Sequence, residues 1–397
     1  MEIRQLSPTL WEIPKHGRMR VPGRVYASAA MMEGIRKDKS LEQVANVAQL
    51  PGIVRYSLAM PDIQWGYGFP IGGVCATHAE DGVISPGGVG YDINCGVRLL
   101  ATGLNVEDVR PRMRTLVAEL FRQVPTGVGA SKAIPKLDRK ELRAVATQGA
   151  RWAVRRGFGD DRDLDFIEEH GCLADADPEA VAERPWERGA DQLGTLGSGN
   201  HFLEIGMVEE IYDERAAAVF GLQRDAVVLL IHCGSRGFGY QICDDYLAVT
   251  QRASEKYGIA LPDRQLACAP LRSDEGRRYL GAMRCAANYA FANRQIIMQL
   301  ARRAFAEALR REESELGFRL IYDICHNIAK FETHEVDGDQ LRVCMHRKGA
   351  TRAYGPGNAH IPEVYRSVGQ PVLIPGDMGR YSYLCVGTER AMRETFG

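Results

Sequence analysis

This sequence is short of several things, and each shortage closes a door. No run of eighteen apolar residues occurs, and the opening MEIRQLSPTLWEIP lacks the basic-then-apolar order of a secretory signal, so neither a membrane-spanning helix nor export is expected. None of the ten cysteines forms a Cys-x-x-Cys pair, which argues against zinc knuckles and thioredoxin-like sites. There is no Walker A run and no Gly-x-Gly-x-x-Gly after a strand, so neither a P-loop nor a Rossmann site is claimed. Repeats and low-complexity linkers are missing as well. With 50 basic residues against 51 acidic ones the net charge is −1, so any attraction to a polyanion has to be local. What is left is a soluble, cytoplasmic protein, 45% hydrophobic and 25% charged, with material for a sizeable core in one large domain or two. Cys285, Cys325 and Cys344 sit in apolar runs and read as buried thiols of a reducing compartment.

Patterning gives a mixed architecture. Ile53 to Leu58, Gly68 to Cys75 and Val83 to Gly90 look like strands between glycine turns, whereas Val106 to Val124 and Lys140 to Arg156 have helical spacing. The acidic, proline-containing stretch Asp160 to Arg188 reads as a surface excursion. Ala226 to Ile231 is a buried strand ending at His232, and Phe318 to Ile324 is another ending near His326. Asp274 to Arg311 is a long helix without proline. Phe331 to Val336 and Gln340 to Met345 form a hairpin turning at Asp337-Gly338. Strands and helices do not alternate regularly, so the expected class is α+β rather than a doubly wound sheet.

The densest motif is Gly90-Tyr91-Asp92-Ile93-Asn94-Cys95-Gly96-Val97-Arg98, which sets a carboxylate and a thiol three residues apart. Gly-Asn-His201-Phe-Leu-Glu204, His232-Cys-Gly-Ser-Arg236 and His326-Asn327 answer it downstream. A lone histidine at a strand end is usually a hydrogen-bonded structural residue. Three in such company, with Asp92 and Cys95, make a ligand set for soft-to-borderline divalent ions such as Zn²⁺, Mn²⁺ or Co²⁺, and a bridging thiolate lets five ligands hold two ions. His16, His78, His170, His334, His346 and His360 lack that context and are read as surface or structural. The loops Gly194 to Asn200, Gly234 to Gly237 and Pro375 to Gly379 are ordinarily turns, but beside metal ligands they suggest a polyphosphate. The cluster His346 to Arg352 is ordinarily a solvated face; alternatively Lys348 and Arg352, with Arg236, clamp phosphate. Asp62 is a turn residue unless the fold carries it to the metals, where it becomes a general-base candidate.

Seven stretches, MPDIQWGYGFPIGG, GGVGYDINCGVRLL, LGSGNHFLEI, IHCGSRGFG, CHNIAKFE, HRKGATRA and PGDMGRYSYL, closely resemble the RtcB family of RNA ligases and run in that family's order from about residue 50 to the end. The resemblance implies one large α+β domain over 1–397, with mixed sheets around a binuclear metal site and a long helical hairpin region. It implies an enzyme that joins RNA 3′-phosphate or 2′,3′-cyclic phosphate ends to 5′-hydroxyl ends, with GTP and two Mn²⁺ ions, in tRNA splicing or RNA repair. The steps implied are a guanylylated enzyme, then an RNA-(3′)pp(5′)G end, then attack by the 5′-hydroxyl. Carried onto this sequence, Cys95 bridges two ions, Asp92 and His201 complete one, and His232 and His326 the other. Asn200, His201, Phe202, Leu203 and Glu204, with His326 and Asn327, face GTP phosphates; Pro375, Gly376, Asp377, Met378 and Ser382 line the nucleotide pocket. Asp62, Arg236 and Lys348 surround the reacting phosphate. A cytoplasmic monomer without membrane contact, acting on tRNA halves or damaged RNA and served by an archease-type activator, completes the expectation.

In the family the nucleophilic histidine follows a Thr-Phe-Gly-Ser-Thr run, within a His-Gly-Ala-Gly-Arg motif. This sequence stops at Thr395-Phe396-Gly397, so truncation at the C-terminus relative to the family is expected, and no residue here receives the nucleophile's role. Two rival readings stay open. One is a binuclear metal phosphoester hydrolase needing no GTP; the other is a non-ligating metal- and RNA-binding form.

Overall fold

Short β-branched and apolar runs become strands where neighbours cover them. In the computed structural model, which describes residues 1–377 and 379–397, they assemble into two main sheets. The outer sheet has seven strands in the order Arg4–Ser7, Leu10–Ile13, Gly23–Tyr26, Ile53–Gln64, Ile71–His78, Asp339–Lys348 and Asn327–Val336. Only the pairing of Gly23–Tyr26 with Ile53–Gln64 is parallel. The inner sheet is antiparallel, in the order Arg319–Cys325, Gly96–Asn105, Ala226–Cys233 and Phe202–Met207. His326 is the single residue between strand Arg319–Cys325 of one sheet and strand Asn327–Val336 of the other, so the backbone passes between sheets at that histidine.

The inner sheet packs on the helix Asp274–Leu309, which Ser273 starts by accepting a hydrogen bond from the Gly276 N–H at 3.0 Å. Its alanines let neighbours approach, and helices Met113–Gln123, Arg139–Gln148, Ala150–Arg155 and Arg236–Lys256 gather round it. Leu229 and Ile231 of the inner sheet are wholly buried against this layer, each contributing on the order of 2 kcal/mol. Among the described residues no helix is long and apolar enough to cross a membrane.

The α+β expectation holds, as do the long helix and the hairpin. At the turn Asp337 and Gly338 both have positive φ, 54° and 97°, as a two-residue turn matched to strand twist requires. Other expectations need correction. Val106 to Val124 is broken at Pro111 into Val106–Val109, a tight turn Arg110–Arg112 and Met113–Gln123, because proline has no N–H to continue the ladder. Lys140 to Arg156 is likewise split at Gly149. Val83 to Gly90 is a strand only over Val83–Ile84 before a turn at Pro86–Gly88. Asp160 to Arg188 is no surface excursion. Trp186 is buried, Asp163 pairs with Arg302 at 3.1 Å, and buried Glu168 pairs with Lys330. Nor is His346 to Arg352 a solvated face: His346, Arg347, Lys348 and Arg352 are all buried.

Candidate metal centre

Register builds the centre. Gly96 lies opposite both Cys233 and Cys325, and Phe202 opposite His232, so Cys95, His201, His232 and His326 arrive at the same end of four adjacent strands. Asp92 comes from the loop before Cys95, which turns back with the Cys95 N–H donating to the Asp92 carbonyl at 3.0 Å. Asn94, at φ 52°, donates its backbone N–H to the Asn327 carbonyl at 2.7 Å. Arg294 of the long helix, wholly buried, locks the arrangement. It donates to the Asn94 carbonyl at 2.7 Å, the Asn94 Oδ1 at 3.0 Å, the Cys233 carbonyl at 2.9 Å and both Asp323 oxygens at 2.8 Å.

Two donor triads result, Asp92/Cys95/His201 and Cys95/His232/His326, each with ligand atoms within 4.8 Å of one another and sharing Cys95. Cys95 Sγ is 3.5 Å from His201 Nε2 and 3.2 Å from His232 Nε2; His232 and His326 place their Nε2 atoms 3.2 Å apart. His201 Nε2 lies 2.6 Å from Asp92 Oδ2. The contact of His201 Nδ1 with the Leu196 carbonyl, at 2.9 Å, suits a tautomer that leaves Nε2 for a metal, and the Ser235 N–H and hydroxyl orient Asp92 Oδ1 at 2.9 and 3.2 Å. A Cβ on Gly234 would fall 2.3 Å from Asp92 Oδ2, so only glycine admits that carboxylate.

The electrostatics fit cations. Burial, then the neighbouring His326, pushes His232 down to about 2; burial, then Arg294, pushes His326 down to about 4, so both imidazoles are neutral ligands at pH 7. Burial disfavours the Asp92 carboxylate, but His201 outweighs it and holds the group at about 2. Burial also disfavours the His201 imidazolium, yet Cys233, Cys95 and Asp92 keep it well above its usual value. Burial and Asp92 push the Cys95 thiol up to about 12, a cost that a bound divalent ion reverses by taking the thiolate. Among the described residues His232 Nδ1 is buried without a partner. The donors therefore fit two ions bridged by Cys95, and the mixture of sulfur, nitrogen and oxygen suits Zn²⁺, Mn²⁺ or Co²⁺ alike.

The other expected residues fall at varying distances from this core. Arg236 lays its guanidinium across Gly197 and donates from Nε to Thr195 Oγ1 at 3.2 Å, and among the described residues neither Nη group makes a hydrogen bond. Lys348 is buried with Nζ donating to the carbonyls of Tyr67 and, at 3.2 Å, Phe69; burial lowers it to about 8. Arg352 is committed elsewhere, with Nη1 on Glu169 Oε1 at 2.8 Å and Nε on Gln370 Oε1 at 3.1 Å, so the structure does not bring it to the centre. Asp62 sits in the strand Ile53–Gln64 with Oδ1 over Gly72, and the protein around its carboxyl raises its pKa. Asn327 is partly spent on the fold: Nδ2 donates to the Asp92 carbonyl at 3.1 Å and Oδ1 accepts from Gly349 N–H at 2.9 Å. One of its two amide hydrogens remains. Asn200 to Glu204 and the loop from Pro375 meet where the Gly379 N–H donates to Glu204 Oε1 at 3.2 Å, and Ser382 Oγ closes that loop by accepting from Gly376 N–H at 3.0 Å. Asp377 is exposed on the loop, and Met378 lies outside the described residues.

Sequence reasoning missed Ser235, Gly234, Asn94 and Arg294. The first three stand inside or beside the motifs, but their roles need the fold to place Asp92. Arg294 lies in an alanine-rich helix with no local sign of function.

The description "tRNA-splicing ligase RtcB" belongs to the family model that matches residues 43–397. The chain is 54% identical over 397 residues to the tRNA-splicing ligase RtcB of Archaeoglobus fulgidus, covering 100% of this chain and 82% of that protein. It is 52% identical to the tRNA-splicing ligase RtcB of Thermococcus kodakarensis, again covering 100% and 82%. To the RNA-splicing ligase RtcB of Mycobacterium tuberculosis it is 51% identical over 347 residues, 87% of this chain and 79% of that one.

Proposed function

The chain belongs to the RtcB family, and from that premise we propose that it is an RNA ligase joining 2′,3′-cyclic phosphate or 3′-phosphate ends to 5′-hydroxyl ends with GTP and Mn²⁺. The observation that carries the reading is the sharing of Cys95 between two donor triads beside an arginine whose terminal nitrogens make no hydrogen bond among the described residues. Two ions held there would supply charge stabilisation for attacking and leaving oxygens in displacement at phosphorus. Asp92 and His201 would hold one, His232 and His326 the other.

The protein's own groups supply the rest. Arg236 offers a planar fork to the reacting phosphate, and Lys348 adds a buried ammonium whose lowered pKa suits proton exchange near neutrality. Asp62 is the general-base candidate for the 5′-hydroxyl. Asn200, Phe202, Leu203 and Glu204, with His201, His326 and Asn327, are assigned to GTP phosphates, and Pro375, Gly376, Asp377 and Ser382 to the rest of the nucleotide. In the family reaction this reading invokes, GMP would pass from GTP to an enzyme histidine with loss of pyrophosphate, then to the RNA 3′-phosphate, and the 5′-hydroxyl would attack with release of GMP; no residue among 1–397 is assigned as that nucleophile. Residues 1–397 act as one ligase domain, in a cytoplasmic monomer served by an archease-type activator.

The test offers a 3′-phosphate RNA and a 5′-hydroxyl RNA with Mn²⁺, with and without GTP. A joined product only with GTP is expected. Turnover of a phosphoester without GTP, and no joined product, would instead mark a binuclear hydrolase.

A further inference from the structure

A row of aromatic rings leads away from the metal centre. Tyr91 immediately precedes Asp92, and its ring stacks on Tyr240 with centroids 4.9 Å apart and planes at 26°. Tyr67 meets Tyr91 edge-on at 5.5 Å. On Tyr240 the Arg188 guanidinium lies 5.2 Å from the ring centroid. The row is not a sealed core: Tyr240 is 46% exposed, and Tyr67 and Tyr91 are half-buried. It is also tied to the cationic side of the centre, because the Tyr67 carbonyl accepts from Lys348 Nζ. Tyr240 stands in the first turns of helix Arg236–Lys256, where buried Gly237 and Gly239 seat the helix and send the tyrosine outward.

Sites for single-stranded nucleic acid combine positive charge with aromatic faces on which successive bases stack. This protein has a net charge of −1, so general phosphate attraction is a weak source of affinity and stacking has more to supply. We propose that Tyr240, backed by Tyr91 and with the exposed Arg188 guanidinium over its ring, forms with that arginine a stacking platform for unpaired nucleobases next to the reacting RNA end. The proposal rests on the RNA-ligase reading for its substrate class and deepens it. Stacking tolerates any base, so the platform selects for unpaired ends rather than for sequence.

The test is direct binding, without GTP, of two single-stranded RNAs, one ending in a 3′-phosphate and one beginning with a 5′-hydroxyl. Each is made with natural bases and with abasic sites in its terminal nucleotides, and each is offered to the unaltered protein, Tyr240→Ala and Tyr240→Phe. Tyr240→Ala is expected to weaken the base-bearing RNA by roughly tenfold and the abasic RNA hardly at all, whereas Tyr240→Phe keeps the affinity. The end that responds is the one that crosses the platform. Equal binding by Tyr240→Ala and the unaltered protein on both RNAs overturns the proposal, as does an equal loss on abasic RNA. Metal content measured in parallel shows that the centre is intact. A protein that joins ends while Tyr240→Ala binds normally defeats the platform alone; one that stacks RNA but never joins it defeats the ligase reading alone.

Discussion

His232 and His326 turn their Nε2 atoms toward each other at 3.2 Å, at the point where the backbone leaves the inner sheet for the outer one. Neither takes up a proton readily, since burial pushes one down to about 2 and the other to about 4. Two neutral rings aimed at one spot, beside a thiol, are arranged for a cation. His326→Ala is therefore expected to lose the ion of the Cys95/His232/His326 triad and keep that of the Asp92/Cys95/His201 triad. Metal analysis should give about half the unaltered content; full retention would show that the pair is structural.

Gly234→Ala tests the other triad without touching a ligand. Its Cβ would meet the Asp92 carboxylate at 2.3 Å, so the carboxylate has to move while the sheet beneath stays paired. The expected outcome is weaker binding of the ion at Asp92 and His201, with joining activity reduced by a factor of ten or more and the circular dichroism unchanged.

Arg294→Met removes a buried cation from Asp323 and unpins the Asn94 loop. Asp323 keeps its pair with Arg98 at 2.7 Å, so the cost lies in the Asn94 and Cys233 oxygens left buried without their donor, about 1–3 kcal/mol for each such group. A denaturant titration should show a loss of that order, and Arg294→Lys, which keeps the charge but not the fork, a smaller one. Unchanged stability in Arg294→Met would remove Arg294 as the anchor of the centre.

Lys348 gives a pH test. Burial lowers its pKa to about 8 from the ordinary 10.5. Between those values the unfolded state holds the proton and the folded state does not, so this group makes stability rise with pH across the window. Below pH 8 both states are protonated and the burial penalty is constant. Lys348→Met should be more stable than the unaltered protein near pH 7, with the advantage shrinking from pH 8 to 10.5. A difference that stays flat across that window would place the ammonium in water.

How much of this was legible depended on whether a signal was local. The apolar runs ending near His232 and His326 announced strand ends, and Asp337-Gly338 announced its own turn, because each is a property of a few neighbours. The five donors that the fold brings together, Asp92, Cys95, His201, His232 and His326, were picked out by residue type and motif. Strand Gly96–Asn105 stayed hidden because Arg98 interrupts its apolar run, and the Asp323 partner that permits a buried arginine is 225 residues away. Helix Arg236–Lys256 was masked by glycines that read as loop but serve close packing, Gly237 against Gln192 and Arg188 and Gly239 against Ser235. Asp160 to Arg188 looked like surface since its buried charges have distant partners; Asp163 pairs with Arg302, and Glu168 and Lys330 are 162 residues apart and meet only when both sheets are formed. Arg352 was misjudged for the same reason, its partner Glu169 being 183 residues away.

On the reading proposed above, the Cys95 thiolate is shared by two ions. That sharing is tested most directly by metal analysis of the unaltered protein, Cys95→Ala and Cys285→Ala after purification in Mn²⁺. Two ions per molecule are expected in the unaltered protein and in Cys285→Ala, whose thiol is buried in the helical layer, and almost none in Cys95→Ala. Equal metal content in Cys95→Ala and the unaltered protein would contradict it.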